Sequence, residues 1–223
     1  MARVTAVVFD LDGTLVDSAP DLHVAVNGLL AEHDRATLTL PQVTYMIGEG
    51  AQKLVERAFA ATGTPADPDA LPSLTRRFLA LYEEEPAALT RLYDGVDATL
   101  SKLRADGYAL GIGTNKPEAA SRAVLRDMGL ADRVDAVVGG DTLPGVRKPD
   151  GRLVLAVLDE LGARPADATM VGDTAIDVGA ARDAGIPVIV REGGYTRAPA
   201  TALGADSVIQ RFADLPEALA RLP

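Results

Sequence analysis

Two aspartates, Asp10 and Asp12, follow the apolar run 4–9 and flank Leu11 ahead of a Gly-Thr turn. Like charges this close repel, so the pair needs a compensating partner. One interpretation is an ordinary turn after a strand, where Asp and Gly are common. A calcium loop is a second, but Leu15 stands where that loop needs glycine. The third is a Mg²⁺ site at the carboxyl end of a strand, where open α/β sheets bind ligands.

A second strand candidate ends in GIGTNK, which supplies a hydroxyl, an amide and an ammonium group from Thr114, Asn115 and Lys116. Capping of a helix that starts at Pro117 explains this segment equally well when it is taken alone. Further along, Lys148 precedes a proline at a predicted helix start. A lone lysine at such a place is usually a solvated surface charge.

The segment MVGDTAID ends another strand candidate with Asp173 and, four residues later, Asp177. At helical spacing the two carboxylates share one face at a helix N-terminus, where the helix dipole favours negative charge and capping is the simpler explanation. Four strand ends therefore carry acids or phosphate-binding groups. Their convergence predicts a divalent cation that is present to bind phosphate.

Composition limits the possible partners. The 223 residues carry a formal net charge of −10, with 48% hydrophobic and 24% charged residues. These proportions are ordinary for a globular protein. The negative charge argues against nucleic acid and anionic membrane surfaces, which favour clusters of Lys and Arg. An anionic substrate would need local compensation from a metal ion or from placed lysines.

The chain has no cysteine, which excludes disulfides and thiolate metal sites and predicts a cytoplasmic protein. No stretch approaches the about 18 apolar residues of a membrane span. The N-terminal run VTAVVF is also short for a signal peptide and ends in acidic residues.

Short apolar segments alternate with amphipathic ones, the pattern of a parallel sheet covered by helices. Val96, Leu100 and Leu103 recur at helical spacing and stop before Gly107, as expected of such a covering helix. We predict an α/β fold with a Rossmann-like, doubly wound and mostly parallel sheet. The strand candidates are 4–9, 108–113, 136–138, 169–171, 187–190 and 207–209.

The interval 10–107 between the first two strand candidates is far longer than one crossover helix requires. Its signals are helical: Ser18 is placed to cap a first helix, and Thr39 with Gln42 forms a capping-box pattern before a second. Two more segments have helical spacing, 51–61 and 71–85.

These signals predict two domains. The α/β core would consist of residues 1–15 and 93–223, and an inserted all-helical cap domain would consist of residues 16–92. The chain would enter and leave the cap side by side, which makes a hinge. A hinged cap over the sheet edge can exclude water from a reaction.

Together the four strand-end segments resemble the signature motifs of the haloacid dehalogenase superfamily of phosphotransferases. Residues 10–14, DLDGT, resemble the first motif, Thr114 the second, Lys148 the third, and Asp173 with Asp177 the fourth. The resemblance extends over nearly the whole chain to the phosphoglycolate phosphatase branch. It is carried there by IGEGAQKLVERAF, TNKPEAASRAVLRDMGL, VVGGDTLPGVRKPD and GGY.

The resemblance implies a role for each motif. Asp10 would be the nucleophile that forms an aspartyl-phosphate, and Asp12 the general acid and then the base. Asp10, the backbone carbonyl of Asp12, Asp173 and Asp177 would bind Mg²⁺. Lys148 would stabilise the charge that develops on the phosphoryl group. The groups implied to bind phosphate are Gly13, Thr14, Thr114, Asn115 and Lys148.

The third motif departs from the family pattern. Gly151 stands where a second proline is usual, which predicts a looser loop around Lys148. The resemblance also implies that Asp173 and Asp177 orient this lysine.

The cap has a departure of its own in the run Gly48, Glu49, Gly50, where relatives often carry a neutral Asn in the middle. Such a loop at a helix N-terminus could bind a small carboxylate through its N–H groups, which an inward-pointing Glu49 would oppose. Lys53 follows one turn later. It would neutralise Glu49, contact the substrate, or form a solvated i,i+4 pair with Glu49.

We therefore predict a Mg²⁺-dependent phosphomonoester hydrolase for a small anionic substrate, and the resemblance points to 2-phosphoglycolate. A phosphosugar mutase, or a phosphatase for another small ester, is the enzymatic alternative. A phospho-accepting regulatory or binding domain without turnover is the alternative of another class, and the inserted cap and the second acid at Asp12 argue against it. A dehalogenase needs neither that acid nor a metal, and a phosphonate hydrolase needs a Schiff-base lysine from the cap.

Overall fold

The computed structural model describes residues 4–222, whose regular elements alternate as the sequence predicts. The strands are β1 (Ala6–Phe9), β2 (Val16–Asp17), β3 (Arg91–Leu92), β4 (Ala109–Gly113), β5 (Ala136–Val138), β6 (Ala168–Gly172), β7 (Val188–Arg191) and β8 (Ser207–Ile209). The helices are α1 (Ala19–Ala31), α2 (Leu40–Thr44), α3 (Ala51–Ala61), α4 (Leu71–Glu84), α5 (Val96–Ala105), α6 (Glu118–Asp127), α7 (Arg152–Glu160), α8 (Ala175–Asp183) and α9 (Leu215–Ala220).

A six-stranded parallel sheet forms the centre of the molecule in the order β5-β4-β1-β6-β7-β8. Strand β1 pairs on both sides, so that Phe9 is level with Ile112 of β4 and Val171 of β6. Because the strands are parallel, the residues that follow β1, β4 and β6 meet at one edge of the sheet. The predicted α/β fold class is confirmed.

Alternate residues of β1 belong to different hydrophobic clusters, as the pleat requires. Val7 and Phe9 pack with residues of α5, α6 and α9, whereas Ala6 and Val8 pack with residues of α7 and α8. The sheet is therefore covered by helices on both faces, which explains why its strands are continuous apolar runs.

Helices α1 to α4 pack on one another around a third cluster, which includes Leu29, Val55 and Phe78. At the start of α2 the predicted capping interaction is present, since the Gln42 Oε1 accepts the Thr39 N–H at 2.8 Å. We call helices α1 to α4 the helical unit. Within residues 4–222 no helix is both long enough and apolar enough to cross a membrane.

The two connections between the sheet and the helical unit pair with each other. Strands β2 and β3 form a short antiparallel ladder that places Val16 opposite Leu92. Beside it, the Asp21 carboxylate accepts hydrogen bonds from the Leu89 N–H at 2.9 Å and the Thr90 hydroxyl at 2.6 Å. We propose the division into a core of 1–15 and 93–223 and a cap of 16–92 because its boundaries fall at this ladder.

Candidate active site

Three buried carboxylates meet beyond the carboxyl ends of β1 and β6. Asp10 directly follows β1, Asp173 directly follows β6, and Asp177 lies in the first turn of α8. One oxygen of each lies within 4.8 Å of the others. Asp10 is far from the other two in the sequence, and the parallel pairing of β1 with β6 brings it to Asp173 and Asp177.

Lys148 lies between two of these carboxylates and is almost fully buried. Its Nζ is 2.8 Å from Asp10 Oδ1 and 2.7 Å from Asp177 Oδ1. The second oxygen of Asp177 accepts the Thr174 N–H at 2.9 Å. Asp177 thus caps α8 and orients Lys148 at the same time. The predicted capping role and the predicted role in the acid cluster are therefore compatible.

The loop that carries Lys148 is anchored on both sides. Asn115 Oδ1 accepts the Lys148 N–H at 2.7 Å, and the Asn115 amide donates to the Lys148 carbonyl at 3.0 Å. The Gly151 N–H donates to Asp183 at 2.7 Å, and a Cβ on Gly151 would lie 2.5 Å from the backbone N of Ala184. The expectation that Gly151 loosens this loop is wrong, because the glycine allows close contact with the end of α8.

Asp173 is held from the opposite side of the cluster. Its Oδ1 accepts the Thr14 hydroxyl at 2.8 Å, and its Oδ2 accepts the Tyr195 N–H at 2.6 Å. A Cβ on Gly13 would lie 2.5 Å from Asp173 Oδ2, and one on Gly194 would lie 2.4 Å from the Asp173 side chain. The two glycines make room for the carboxylate, and Thr14 directs its hydroxyl at Asp173.

The electrostatics of the cluster favour a cation. Burial raises the pKa of Asp10 to about 6, with Lys148 opposing the rise and Asp177 adding to it. Burial, together with Asp177 and Asp10, raises the pKa of Asp173 well above its ordinary value. Burial also acts on Asp177, but Lys148 outweighs it and lowers the pKa. Three buried carboxylates share one ammonium group, and such a set of hard oxygen ligands fits a divalent cation such as Mg²⁺.

Asp12 points away from the cluster. Its Oδ1 accepts the Ser18 hydroxyl at 2.6 Å, and its Oδ2 lies 3.1 Å from the Lys116 Nζ. Ser18 therefore does begin α1 as predicted, but its side chain does not cap the helix, because the hydroxyl is bonded to Asp12. The carboxyl of Asp12 faces the space between the sheet edge and the helical unit.

That space is a cavity of about 40 Å³. The Asn115 amide bridges across it to the Gly48 carbonyl at 3.0 Å, which ties the helical unit to the core. Residues of the core that line the cavity are Asp10, Asp12, Thr114, Asn115, Lys116, Pro117 and Ala120. Residues of the helical unit and its loop that line it are Leu22, Ile47, Gly48, Gly50, Ala51, Leu54, Phe78 and Leu79.

Glu49 and Lys53 do not line this cavity. Glu49 pairs with Arg57, and Lys53 pairs with Glu56 at 2.8 Å. The expected Glu49–Lys53 pair is therefore wrong. The i,i+4 spacing rule did not predict the contact with Arg57. Glu49 lies before α3 and pairs with a residue two turns along that helix.

Tyr195 makes contacts that the sequence analysis did not predict. The residue appeared there only within the GGY segment, as part of the family resemblance. Its hydroxyl accepts the Ser18 N–H at 2.8 Å and the Ala19 N–H at 2.9 Å, and it donates to Asp17 at 2.7 Å. Its backbone N–H binds Asp173. One residue therefore joins the connection to the helical unit with the acid cluster.

Comparison with known proteins agrees with this geometry. The chain matches the family model of the haloacid dehalogenase-like hydrolases over residues 7–191. It belongs to this family. A phosphoglycolate phosphatase of Rhodospirillum rubrum is 50% identical over 214 residues, which cover 94% of this chain and 88% of the relative. One of Cereibacter sphaeroides is 43% identical over 216 residues, 97% of this chain and 98% of the relative.

A solved structure from Haemophilus somnus, described as a predicted phosphoglycolate phosphatase, superposes with a TM-score of 0.90. It is 31% identical, with 98% of this chain and 99% of that chain covered. The family, its phosphoglycolate phosphatase-like branch and the enzyme class, a phosphatase, are thereby confirmed as the sequence predicted them.

Proposed function

We propose that the protein is a Mg²⁺-dependent phosphatase that converts 2-phosphoglycolate to glycolate and phosphate through an aspartyl-phosphate on Asp10. The observation that carries the proposal is the pairing of Asp10 with Lys148 inside the buried acid cluster. Asp10 Oδ1 is fixed by Lys148 and by the Leu11 N–H at 2.7 Å. Within residues 4–222 no hydrogen bond engages Asp10 Oδ2, which leaves that oxygen available for attack on phosphorus.

In the first step Asp10 Oδ2 forms a bond to phosphorus while the bond to the ester oxygen breaks. Asp12, whose carboxyl faces the cavity, donates a proton to that oxygen as it leaves. In the second step Asp12 takes a proton from a water molecule, which attacks phosphorus and releases phosphate and the Asp10 carboxylate. The carboxyl thus returns to its starting protonation state.

The phosphoryl oxygens would be bound by Lys148 and the Thr114 hydroxyl. The N–H groups of Gly13 and Thr14, also predicted to bind phosphate, donate instead to the carbonyls of Val16 at 2.8 Å and Leu11 at 3.2 Å. The hydrogen bonds of two predicted phosphate ligands support a positioning role for their side chains. Asn115 holds the backbone of Lys148, and the Thr14 hydroxyl holds Asp173.

Asp10, Asp173, Asp177 and the backbone carbonyl of Asp12 would hold the Mg²⁺ ion. When bound, the ion supplies positive charge to the phosphoryl oxygens. The excess of carboxylates over ammonium groups and the raised pKa of Asp173 support this choice of ligands.

A small leaving group is supported by the names of the relatives at up to 50% identity, and by a cavity that residues of both the core and the helical unit line. The helical unit would act as the cap that excludes water during the reaction. A phosphosugar mutase would have to turn a bisphosphorylated sugar within the same space. We also propose a cytoplasmic location, because the chain has no cysteine.

The test is phosphate release from a panel of small phosphate esters, with Mg²⁺ and with EDTA. We expect a strong preference for 2-phosphoglycolate that EDTA abolishes. Metal-dependent release at similar rates from many esters would retain the mechanism and remove the substrate. A doubly phosphorylated intermediate among the products would favour the mutase, and absence of release would favour a regulatory domain.

A further inference from the structure

Lys116 has no part in the reaction described above, yet it is buried in the same cavity. It follows β4, and its Nζ lies 3.1 Å from Asp12 Oδ2 and 3.3 Å from Asp12 Oδ1. The Nζ also lies 4.3 Å from the centre of the Tyr82 ring, which belongs to α4. The ammonium group is therefore fixed between the core and the helical unit.

Lys116 is buried, but it is paired with an acid and with an aromatic ring, which compensate its charge. Among residues 4–222, Lys116 is the one cationic side chain that lines the cavity. Lys148, by contrast, is engaged on both sides by Asp10 and Asp177.

The other walls of the cavity are largely apolar, with Leu22, Leu54, Phe78 and Ala120 among them. A carboxylate buried against such walls without a partner is strongly disfavoured. A substrate that carries a carboxylate beside its ester oxygen therefore needs a cation at this place.

The distances around Asp12 place Lys116 where it can supply this cation. Asp12 must approach the ester oxygen to about 2.6–3.2 Å in order to protonate it. Lys116 is itself one hydrogen-bond length from Asp12. In 2-phosphoglycolate a single carbon separates the ester oxygen from the carboxylate, so that carboxylate falls within reach of the Lys116 ammonium.

We propose that Lys116 binds the carboxylate of the substrate and makes the site selective for phosphate esters with an anionic leaving group of this length. The inference rests on the proposed function and names the residue that recognises the non-reacting end. Tyr82 supports the lysine through its ring.

The experiment compares 2-phosphoglycolate with ethyl phosphate, in which a methyl group replaces the carboxylate. The variant Lys116→Met keeps the length of the side chain and removes the charge. We expect kcat/KM for 2-phosphoglycolate to fall about 10- to 100-fold more than kcat/KM for ethyl phosphate, as for a lost charge-assisted hydrogen bond. Lys116→Arg should restore part of the selectivity.

Lys102→Met is the matched control, because Lys102 is exposed on α5 and pairs with Asp106. Its ratio of kcat/KM values should equal that of the wild type. Thermal unfolding of each variant, followed by circular dichroism, verifies the fold.

Three results would overturn the inference. An equal loss on both esters in Lys116→Met would reduce Lys116 to a residue that positions Asp12. A preference for 2-phosphoglycolate that survives the substitution would exclude the lysine as its source while leaving the proposed function intact. A wild-type protein with no preference between the esters would remove the proposed substrate, and the inference with it.

Discussion

The two sides of the cavity are built in opposite ways. On the core side, Asp10, Asp177 and Lys148 are buried and each is bonded to another member of the set. On the side of the helical unit, the charged pairs Lys53–Glu56 and Glu49–Arg57 are partly exposed and turn away from the cavity. Buried charges interact strongly and hold one another in place, whereas exposed pairs contribute little. The core therefore fixes the chemistry, and the helical unit mainly provides shape.

The largest expected effect comes from Asp10→Asn, which removes the nucleophile and keeps its volume. We expect kcat to fall on the order of 10³-fold or more. The melting temperature of the metal-free protein should not fall, because one of three repelling carboxylates becomes neutral. Steady-state phosphate release and circular dichroism measure the two quantities, and near-normal turnover would exclude Asp10 as the nucleophile.

Asn115→Ala tests whether the core side depends on its anchored loop. The substitution removes both hydrogen bonds to the Lys148 backbone, so we expect kcat/KM to fall about 10- to 100-fold. Asn27→Ala is the control, since Asn27 makes the same two kinds of bond to the Leu38 backbone within the helical unit. Both variants should lose stability, and only the first should lose this much activity. Equal activities would contradict the positioning role.

The response to metal and pH distinguishes the acid cluster from ordinary surface acids. Because the pKa of Asp10 is raised from 3.8 to about 6, the folded protein holds a proton that the unfolded chain has released. The free energy of unfolding of the metal-free protein should therefore fall as the pH rises through this window. Mg²⁺ binds the deprotonated carboxylates and should offset that loss at higher pH.

At 100 times its Kd, Mg²⁺ should add about 2.7 kcal/mol of stability at pH 7.5. For a chain of this size that is a rise in melting temperature of about 5–10 °C. The rise should be clearly smaller at pH 5, where protons compete for the same oxygens. Thermal unfolding with Mg²⁺ or EDTA at both pH values measures it, and equal shifts would contradict metal binding at this cluster.

Lys53→Met should have the smallest effect. The partly exposed pair with Glu56 is worth at most about 1 kcal/mol, and the side chain does not line the cavity. We expect kcat/KM for 2-phosphoglycolate to change less than twofold. A tenfold rise in KM would place Lys53 at the substrate and weaken the contrast between the two sides.

The sequence predicted the parts of the molecule that depend on local patterns. Helix α3 was predicted with its observed bounds, Ala51–Ala61, because its apolar residues repeat at helical spacing. The strands of the main sheet were found within two residues at either end, since most of them are buried apolar runs, although only Ile209 of β8 is buried. The two-residue strands β2 and β3 were missed, because so short a ladder has no periodicity.

The predicted site residues also fall into two groups. Asp10 and Asp173 follow strands and Asp177 lies in the first turn of α8, so topology alone places these three at one sheet edge. Lys148 lies in the loop before α7, and its hydrogen bonds with Asn115 place it beside them. The partner of Glu49, Arg57, is eight residues along the chain, outside the i,i+4 spacing, and Glu49 itself lies before the helix. The contacts of Tyr195 with Asp17 and Ser18 depend on tertiary packing between segments far apart in the chain. No spacing rule encodes such contacts, and the sequence could not supply them.

The central position of β1 has a consequence for synthesis of the protein. This strand is translated before its two partners, β4 and β6, which emerge from the ribosome much later. The helical unit is contiguous in the chain and has a hydrophobic cluster of its own, so it can compact while the rest is being translated. The acid cluster, by contrast, cannot assemble until Asp173 and Asp177 have been made. In a nascent chain the helical unit can therefore form before the acid cluster.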